Sequence, residues 1–130
     1  MKFIPEADID VNSFDCLITS GHNTGDIFWG IYDEAGTTLL GEASLLNGSQ
    51  VDGLNTSGAT ASTIALTGGS VYWIAIATNS QGSMSMGNTS GFADNTLCRS
   101  AYVSYLMSSM PSSISGGTPN STRFFIGARN

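Results

Sequence analysis

The run Ile27-Phe28-Trp29-Gly30-Ile31-Tyr32, bracketed by Asp26 and Asp33, is apolar at odd and even positions alike. Successive side chains of a strand point to opposite faces, so this run needs cover on both sides and predicts a central strand instead of an edge. Gly30 in its middle predicts a large neighbour packed against the backbone. A second run, Val71-Tyr72-Trp73-Ile74-Ala75-Ile76-Ala77, is the strongest strand signal in the chain. Thr63-Ile64-Ala65-Leu66 precedes it across Gly68-Gly69, and two strands joined by so tight a turn predict a hairpin.

Weaker signals fill the remainder. Ile9 and Val11, then Phe14, Cys16 and Ile18, alternate with polar residues, and the phase slips between Val11 and Phe14 as a bulge or bend requires. Leu39, Leu40, Ala43, Leu45 and Leu46 mark a less regular strand. Residues 47–60, with Gly48, Gly53 and Gly58 and little to bury, predict an exposed loop large enough to be a contact element. Ser83-Met84-Ser85-Met86 alternates as a short strand does, Tyr102 to Met107 is apolar, and Arg123-Phe124-Phe125-Ile126-Gly127-Ala128 reads as the last strand. The expectation is an all-β chain, an antiparallel β-sandwich of jelly-roll-like type with about eight strands. At 130 residues it is one domain, 1–130. Charged residues are 11% of the chain, well under the about 25% of an average soluble domain, so helices laced by ion pairs are poorly supplied.

Charge and motifs narrow the function. The net charge is −6, and Lys2, Arg99, Arg123 and Arg129 are scattered, so no cation cluster stands ready for nucleic acid. No apolar stretch approaches the about 18 residues that cross a membrane, and the opening residues contain no signal-peptide core, which predicts synthesis in the cytoplasm. Cys16 and Cys98 are then two buried thiols, with a disulfide as the alternative reading. Sequons begin at Asn47, Asn55, Asn88 and Asn120 and are discounted without a secretion signal. No Gly-x-Ser-x-Gly, Cys-x-x-Cys, His-Glu-x-x-His or Gly-Lys-Ser/Thr motif occurs. No catalytic residue, cofactor site or metal site is expected.

Some residues carry two readings each. His22, in a Gly-Asn-Thr turn, is a solvated histidine or the base of a nucleophile pair. Asp33-Glu34 is a turn or the acid pair of a glycosidase, and Asp26, Asp33 and Glu34 are the residues a small cell-wall hydrolase would need. Glu6, Asp8, Asp10 and Asp15 are either a charged edge that discourages strand pairing or oxygen ligands for Ca²⁺. Trp29, Tyr32, Tyr72 and Trp73 are core aromatics or a sugar-stacking platform. Met84, Met86, Met107 and Met110, with Tyr102 and Tyr105, form an adaptable apolar contact surface or fill the core.

Gly30-Ile31-Tyr32-Asp33 followed by Gly36 and Leu39-Leu40, then Ile64-Ala65-Leu66 with a Gly-Gly turn into Tyr72-Trp73-Ile74-Ala75, resembles small β-sandwich domains of bacteriophage virion proteins. The closing Phe124-Phe125-Ile126-Gly127 fits the same pattern, and the likeness runs from about Phe3 to Ala128. Ala35-Gly36-Thr37-Thr38 stands where such domains carry a Pro-Gly turn. The resemblance implies a place in the virion, as a capsid decoration or cement protein or as a module of a tail fibre or receptor-binding protein. With Met1 opening the chain and a strand near its end, no shaft segment is expected, and capsid decoration comes first. Its partners are then the major capsid protein or other virion proteins, and its own form a homotrimer. The adhesive alternative binds host-surface glycan through loops 47–60 and 108–121.

Overall fold

The computed structural model describes residues 1–20, 25–79, 85–86, 100–102, 108–114, 118–120 and 126–129, and every regular element among them is a strand. In chain order the strands are β1 (Lys2–Phe3), β2 (Ile9–Val11), β3 (Ser13–Ser20), β4 (Ile27–Tyr32), β5 (Leu39–Leu45), β6 (Gly53–Thr56), β7 (Ile64–Leu66), β8 (Tyr72–Thr78), β9 (Ser85–Met86), β10 (Ser100–Tyr102), β11 (Thr118–Asn120) and β12 (Ile126–Arg129). Eight of them form two four-stranded sheets, one ordered β1-β8-β4-β5, the other built on β3, which pairs with β12, β6 and β9. The other four pair as β2 with β7 and β10 with β11, and every pairing is antiparallel.

The doubly apolar run is central, as its sequence requires. β4 lies between β8 and β5, and all six of its residues are buried. Ile27, Trp29 and Ile31 face a main core with Val11, Phe14, Cys16 and Ile18 from β2 and β3, Ile64 and Leu66 from β7, and Ile74 from β8. The rings of Phe14 and Trp29 stack across it, 6.5 Å apart and 5° from parallel. Burying a large apolar side chain fully contributes about 1.5–3 kcal/mol, so this cluster dominates stability.

Phe28 and Tyr32 point the other way, into a second cluster with Met110, Leu39, Trp73, Ala75, Ala77 and Ile114. Its cover is the segment 108–114, laid over the sheet and fastened by polar bonds. Tyr32 donates its hydroxyl to the Pro111 carbonyl at 2.8 Å, and Leu39 N–H donates to Ser112 O at 3.1 Å. Ile114 N–H donates to Gly36 O at 2.8 Å, and Met110 N–H to a Glu42 carboxylate oxygen at 2.9 Å. The large neighbours expected at Gly30 are here: a Cβ on that residue would lie 2.9 Å from Leu39 Cδ1 and 3.2 Å from Met110 Cγ.

Three expectations are corrected. β7 and β8 do not form a hairpin: β7 pairs with β2, and β8 with β4 and β1. The Gly68-Gly69 turn instead carries the chain from one pairing partner to another while packing on residues 7–8. Gly68 N–H donates to Asp8 Oδ1, Gly69 N–H donates to Pro5 O, and a Cβ on Gly68 would sit 2.7 Å from Ala7 Cα. The phase slip after Val11 is likewise a change of partner, since β2 leaves β7 and, beyond Asn12, β3 joins β12 and β6. The 47–60 stretch is not a bare exposed loop, because β6 lies within it and Gln50, Asn55 and Ser57 are buried. The last strand appears as β12 on β3, while residues 123–125 lie outside the described residues.

Close approach at Gly41 joins the β2/β7 pair to the first sheet. A Cβ there would lie 2.5 Å from both Cγ1 and Cδ1 of Ile64, which is itself buried. Overpacking of this kind costs about 1–3 kcal/mol. Gly41→Ala is expected to lower the unfolding free energy measured in urea by that amount, and Gly41→Ala with Ile64→Val to recover part of it. An unchanged midpoint in the single variant would show that Ile64 moves aside freely.

Candidate functional site

The described residues concentrate their unusual chemistry in the chain from the end of β5 to Ser57, just past β6. Its polarity is inverted: Gln50, Asn55 and Ser57 are 2%, 3% and 9% exposed, while Leu46, Val51 and Leu54 are 63%, 55% and 51% exposed. Ile4, Ile9 and Leu40, the other exposed large hydrophobics described, reach only 39%.

Buried amides do here what apolar side chains do elsewhere. Asn55 accepts from Val51 N–H at 2.9 Å and donates its side-chain NH₂ to the carbonyls of Val51 at 2.7 Å and Gly53 at 2.9 Å. Every hydrogen-bonding position of that amide but one oxygen lone pair is then in use. Gln50 donates to Gly25 O at 2.5 Å, just ahead of β4. Ser57 accepts from Phe14 N–H at 3.0 Å, and Ser57 N–H donates to Phe14 O at 2.8 Å, continuing the β3–β6 pairing.

Asp26 anchors the other end of this region. Its Oδ1 accepts from Asn47 N–H at 2.7 Å and its Oδ2 from Asn79 Nδ2 at 3.0 Å, while Asp26 N–H donates to Asn79 Oδ1 at 2.6 Å. One carboxylate therefore ties the start of β4, the turn after β5 and the end of β8. A segment so fastened presents Leu46, Val51 and Leu54 from a fixed backbone, the arrangement that lowers the ordering cost of a contact surface.

Of the other acidic candidates, Asp8, Asp15 and Asp33 are also engaged. Asp33 accepts from Thr37 N–H at 2.8 Å, Thr38 N–H at 3.2 Å and the Thr37 hydroxyl at 3.1 Å, closing the turn between β4 and β5. Desolvation pushes its carboxyl upward, but these hydrogen bonds outweigh it and hold the group below its usual 3.8. Glu34 is exposed, and its backbone carbonyl accepts from the Trp73 indole at 2.9 Å. Asp15 is buried and accepts from the Thr56 hydroxyl at 2.7 Å, whereas Glu6, Asp8 and Asp10 are exposed. Among the described residues no three His, Cys, Asp or Glu side chains gather as a metal-holding group, and no helix is long and apolar enough to cross a membrane.

Trp29 and Tyr32 are core residues, both 0% exposed, and burial with the nearby Glu42 charge raises the Tyr32 phenol to about 12. Tyr72 and Trp73 are half-buried: Phe3 packs against Tyr72 with ring centroids 6.0 Å apart, and the Lys2 ammonium sits 5.4 Å from the Trp73 ring centre. Cys16 is a buried free thiol, raised by burial and by the adjacent Asp15 charge to about 11. Met110, read from sequence as part of a contact surface, is 6% exposed and fills the second core cluster. Of its companions, Met86 lies in β9 and Tyr102 in β10, while Met84, Tyr105 and Met107 lie outside the described residues, as do His22, Cys98 and Asn88. Of the sequon asparagines, Asn55 is buried with its side-chain amide spent on three internal bonds, and Asn47 is exposed.

Sequence reasoning missed Leu46, Val51 and Leu54 because each reads as an ordinary apolar residue near a strand. The available signal was the interleaving of Gln50, Asn55 and Ser57 with them. In comparisons with known proteins the chain matches no family model, no curated protein and no solved structure.

Inverted polarity separates stability from surface. Asn55→Ala leaves backbone groups without partners and is expected to cost about 1–3 kcal/mol, measured by denaturant unfolding. Leu54→Ser is expected to stay within about 0.5 kcal/mol of the parent. Equal losses would show that Leu54 is a packing residue.

Stability is also expected to fall at both ends of the pH scale. The Asp33 carboxyl is depressed from 3.8, so its contribution is complete above that pH and lost as pH falls through the folded value. The Cys16 thiol is raised from 9.0 to about 11, so its contribution is complete below pH 9.0 and lost as pH climbs toward 11. Urea midpoints against pH should show a shallower acid limb in Asp33→Asn and a shallower alkaline limb in Cys16→Ala. Limbs parallel to the parent's would assign the titration to other groups.

Proposed function

We propose that the two four-stranded sheets form an antiparallel β-sandwich of jelly-roll-like type, and that the protein is a non-enzymatic structural component of a bacteriophage particle. Its place is the capsid surface, as a decoration or cement protein that meets the major capsid protein as a homotrimer. A core to which both sheets contribute side chains supports the sandwich. The observation that carries the role is the fastened segment from Leu46 to Leu54, which turns aliphatic side chains outward and its amides inward. Such a surface is built for contact with another protein, and exposed aliphatics without convergent polar groups suit an interface better than a sugar site. Engagement of Asp26 and Asp33 in backbone ties supports the non-enzymatic reading, because those carboxylates are occupied in holding turns.

Particles carrying a labelled copy of the protein locate it directly. Label at many fixed lattice positions on the head is the expected result, with Leu46→Ser/Val51→Ser/Leu54→Ser lost from particles while still folded in solution. Label confined to the tail would transfer the reading to an adhesive domain for host-surface glycan. Particles without the protein that resist heat and osmotic shock as well as the parent would remove the cementing role.

A further inference from the structure

β6 stands at the outside of its sheet, with β3 on one side and no strand on the other among the described residues. The direction of its main-chain groups can be read from its end. Ser57 N–H donates to Phe14 O at 2.8 Å and Phe14 N–H to Ser57 Oγ at 3.0 Å, so Ser57 turns toward β3. Main-chain groups of an antiparallel strand alternate in direction. Asn55 therefore turns toward β3 as well, and the N–H and C=O of Leu54 and Thr56 turn outward. Gly58 agrees with this phase, because its N–H donates to Ser44 O of β5 at 2.9 Å and not to β3. Leu54 and Thr56 have no such main-chain tie among the described residues, and both are exposed.

Edge strands are ordinarily guarded against other strands by charge, proline or cover. β1, β2, β5 and β12 carry Lys2, Asp10, Glu42 and Arg129. β6, Gly53-Leu54-Asn55-Thr56, carries neither a charge nor a proline. Between Ala43 and Ala93 the sequence holds a single charged residue, Asp52. Copies of a chain with a net charge of −6 repel one another, and this stretch is where they can meet at least electrostatic cost.

We infer that β6 is a self-association edge, pairing antiparallel with β6 of a second copy about a two-fold axis through Asn55. The outward groups at 54 and 56 are equidistant from Asn55, so Leu54 faces Thr56 of the second copy and Thr56 faces its Leu54. Each of these pairs exchanges both of its N–H···O=C bonds, and the contact is the same patch on both copies. Leu54, 51% exposed, then lies beside the Thr56 side chain of the second copy on one face of the joined sheet. In this register Asp52 of each copy falls at an opposite end of the joint, so the two like charges are not set against each other. The joint goes beyond the place on a particle proposed above. Being two-fold, it is additional to a three-fold contact and links either two single chains or two trimers.

The test measures the mass of the purified full chain by sedimentation and the exchange of individual amide hydrogens by NMR. The parent is expected to sediment as an even multiple of the chain, and Leu54→Lys, which puts a charge on the edge, at half that mass with an unchanged unfolding midpoint. Amides at positions 54 and 56 should be protected in the parent and lose that protection in Leu54→Lys. The Asn55 amide, held by β3, should stay protected in both and so report that β6 is intact. A parent of one chain or of three would overturn the joint, and a mass of three would leave the proposed trimer standing. An even multiple in which the amides at 54 and 56 exchange freely, or one that Leu54→Lys does not halve, would overturn it as well.

Discussion

A strand with large apolar side chains on both faces cannot rest at the surface, and β4 obliges the chain to supply two covers. The first comes from β2, β3 and β7, whose Val11, Phe14, Cys16, Ile18, Ile64 and Leu66 meet Ile27, Trp29 and Ile31. The second comes from Met110 and Ile114, on a segment far along the chain and attached through the Tyr32 hydroxyl, the Glu42 carboxylate and the carbonyl of Gly36. Placement of the glycines follows from this demand. Gly30 admits Leu39 and Met110 to the second face, and Gly41 admits Ile64 on the other.

With only four Lys and Arg against ten Asp and Glu, the chain fastens itself largely by carboxylates and amides bonded to the backbone. Asp8, Asp26, Asp33 and Glu42 each accept from a main-chain N–H of another segment or turn. Hydrogen bonds to charged acceptors are shorter and stronger than neutral ones, so a few such ties hold long connections in place. The same ties fix the face that the proposed role uses, which separates the residues that hold the segment between β5 and β6 from those it shows to solvent.

Legibility in the sequence followed apolar density. β4, β8 and the close neighbours of Gly30 were readable because alternation and volume decide them. The partner of β7 was not, since Ile64-Ala65-Leu66 states only that one face is buried and not which strand lies beside it. β6 was hidden because Gly53-Leu54-Asn55-Thr56 has the composition of a loop and becomes a strand by pairing with β3. The exposure of Leu46, Val51 and Leu54 was hidden for the complementary reason: burial of Gln50 and Asn55 depends on carbonyls at Gly25, Val51 and Gly53 that no local pattern announces. Met110 shows the limit of residue-type reasoning, because an unbranched thioether suits a protein interface and an irregular core gap equally well.

The pairing of β3 with β12 sets the order in which the molecule can be finished. Residues 13–16 are made well before their neighbours at 126–129. Until those arrive, the backbone N–H and C=O groups along that edge of β3 are an open template for any other strand. Synthesis and folding are therefore coupled late, with long loops to close before the second sheet is complete, a topology associated with slow folding. A nascent chain of this kind is most vulnerable to pairing with its own siblings on a crowded polysome, and the exposed carboxylates of Glu6, Asp8 and Asp10 just ahead of β3 supply repulsion between such chains during that interval.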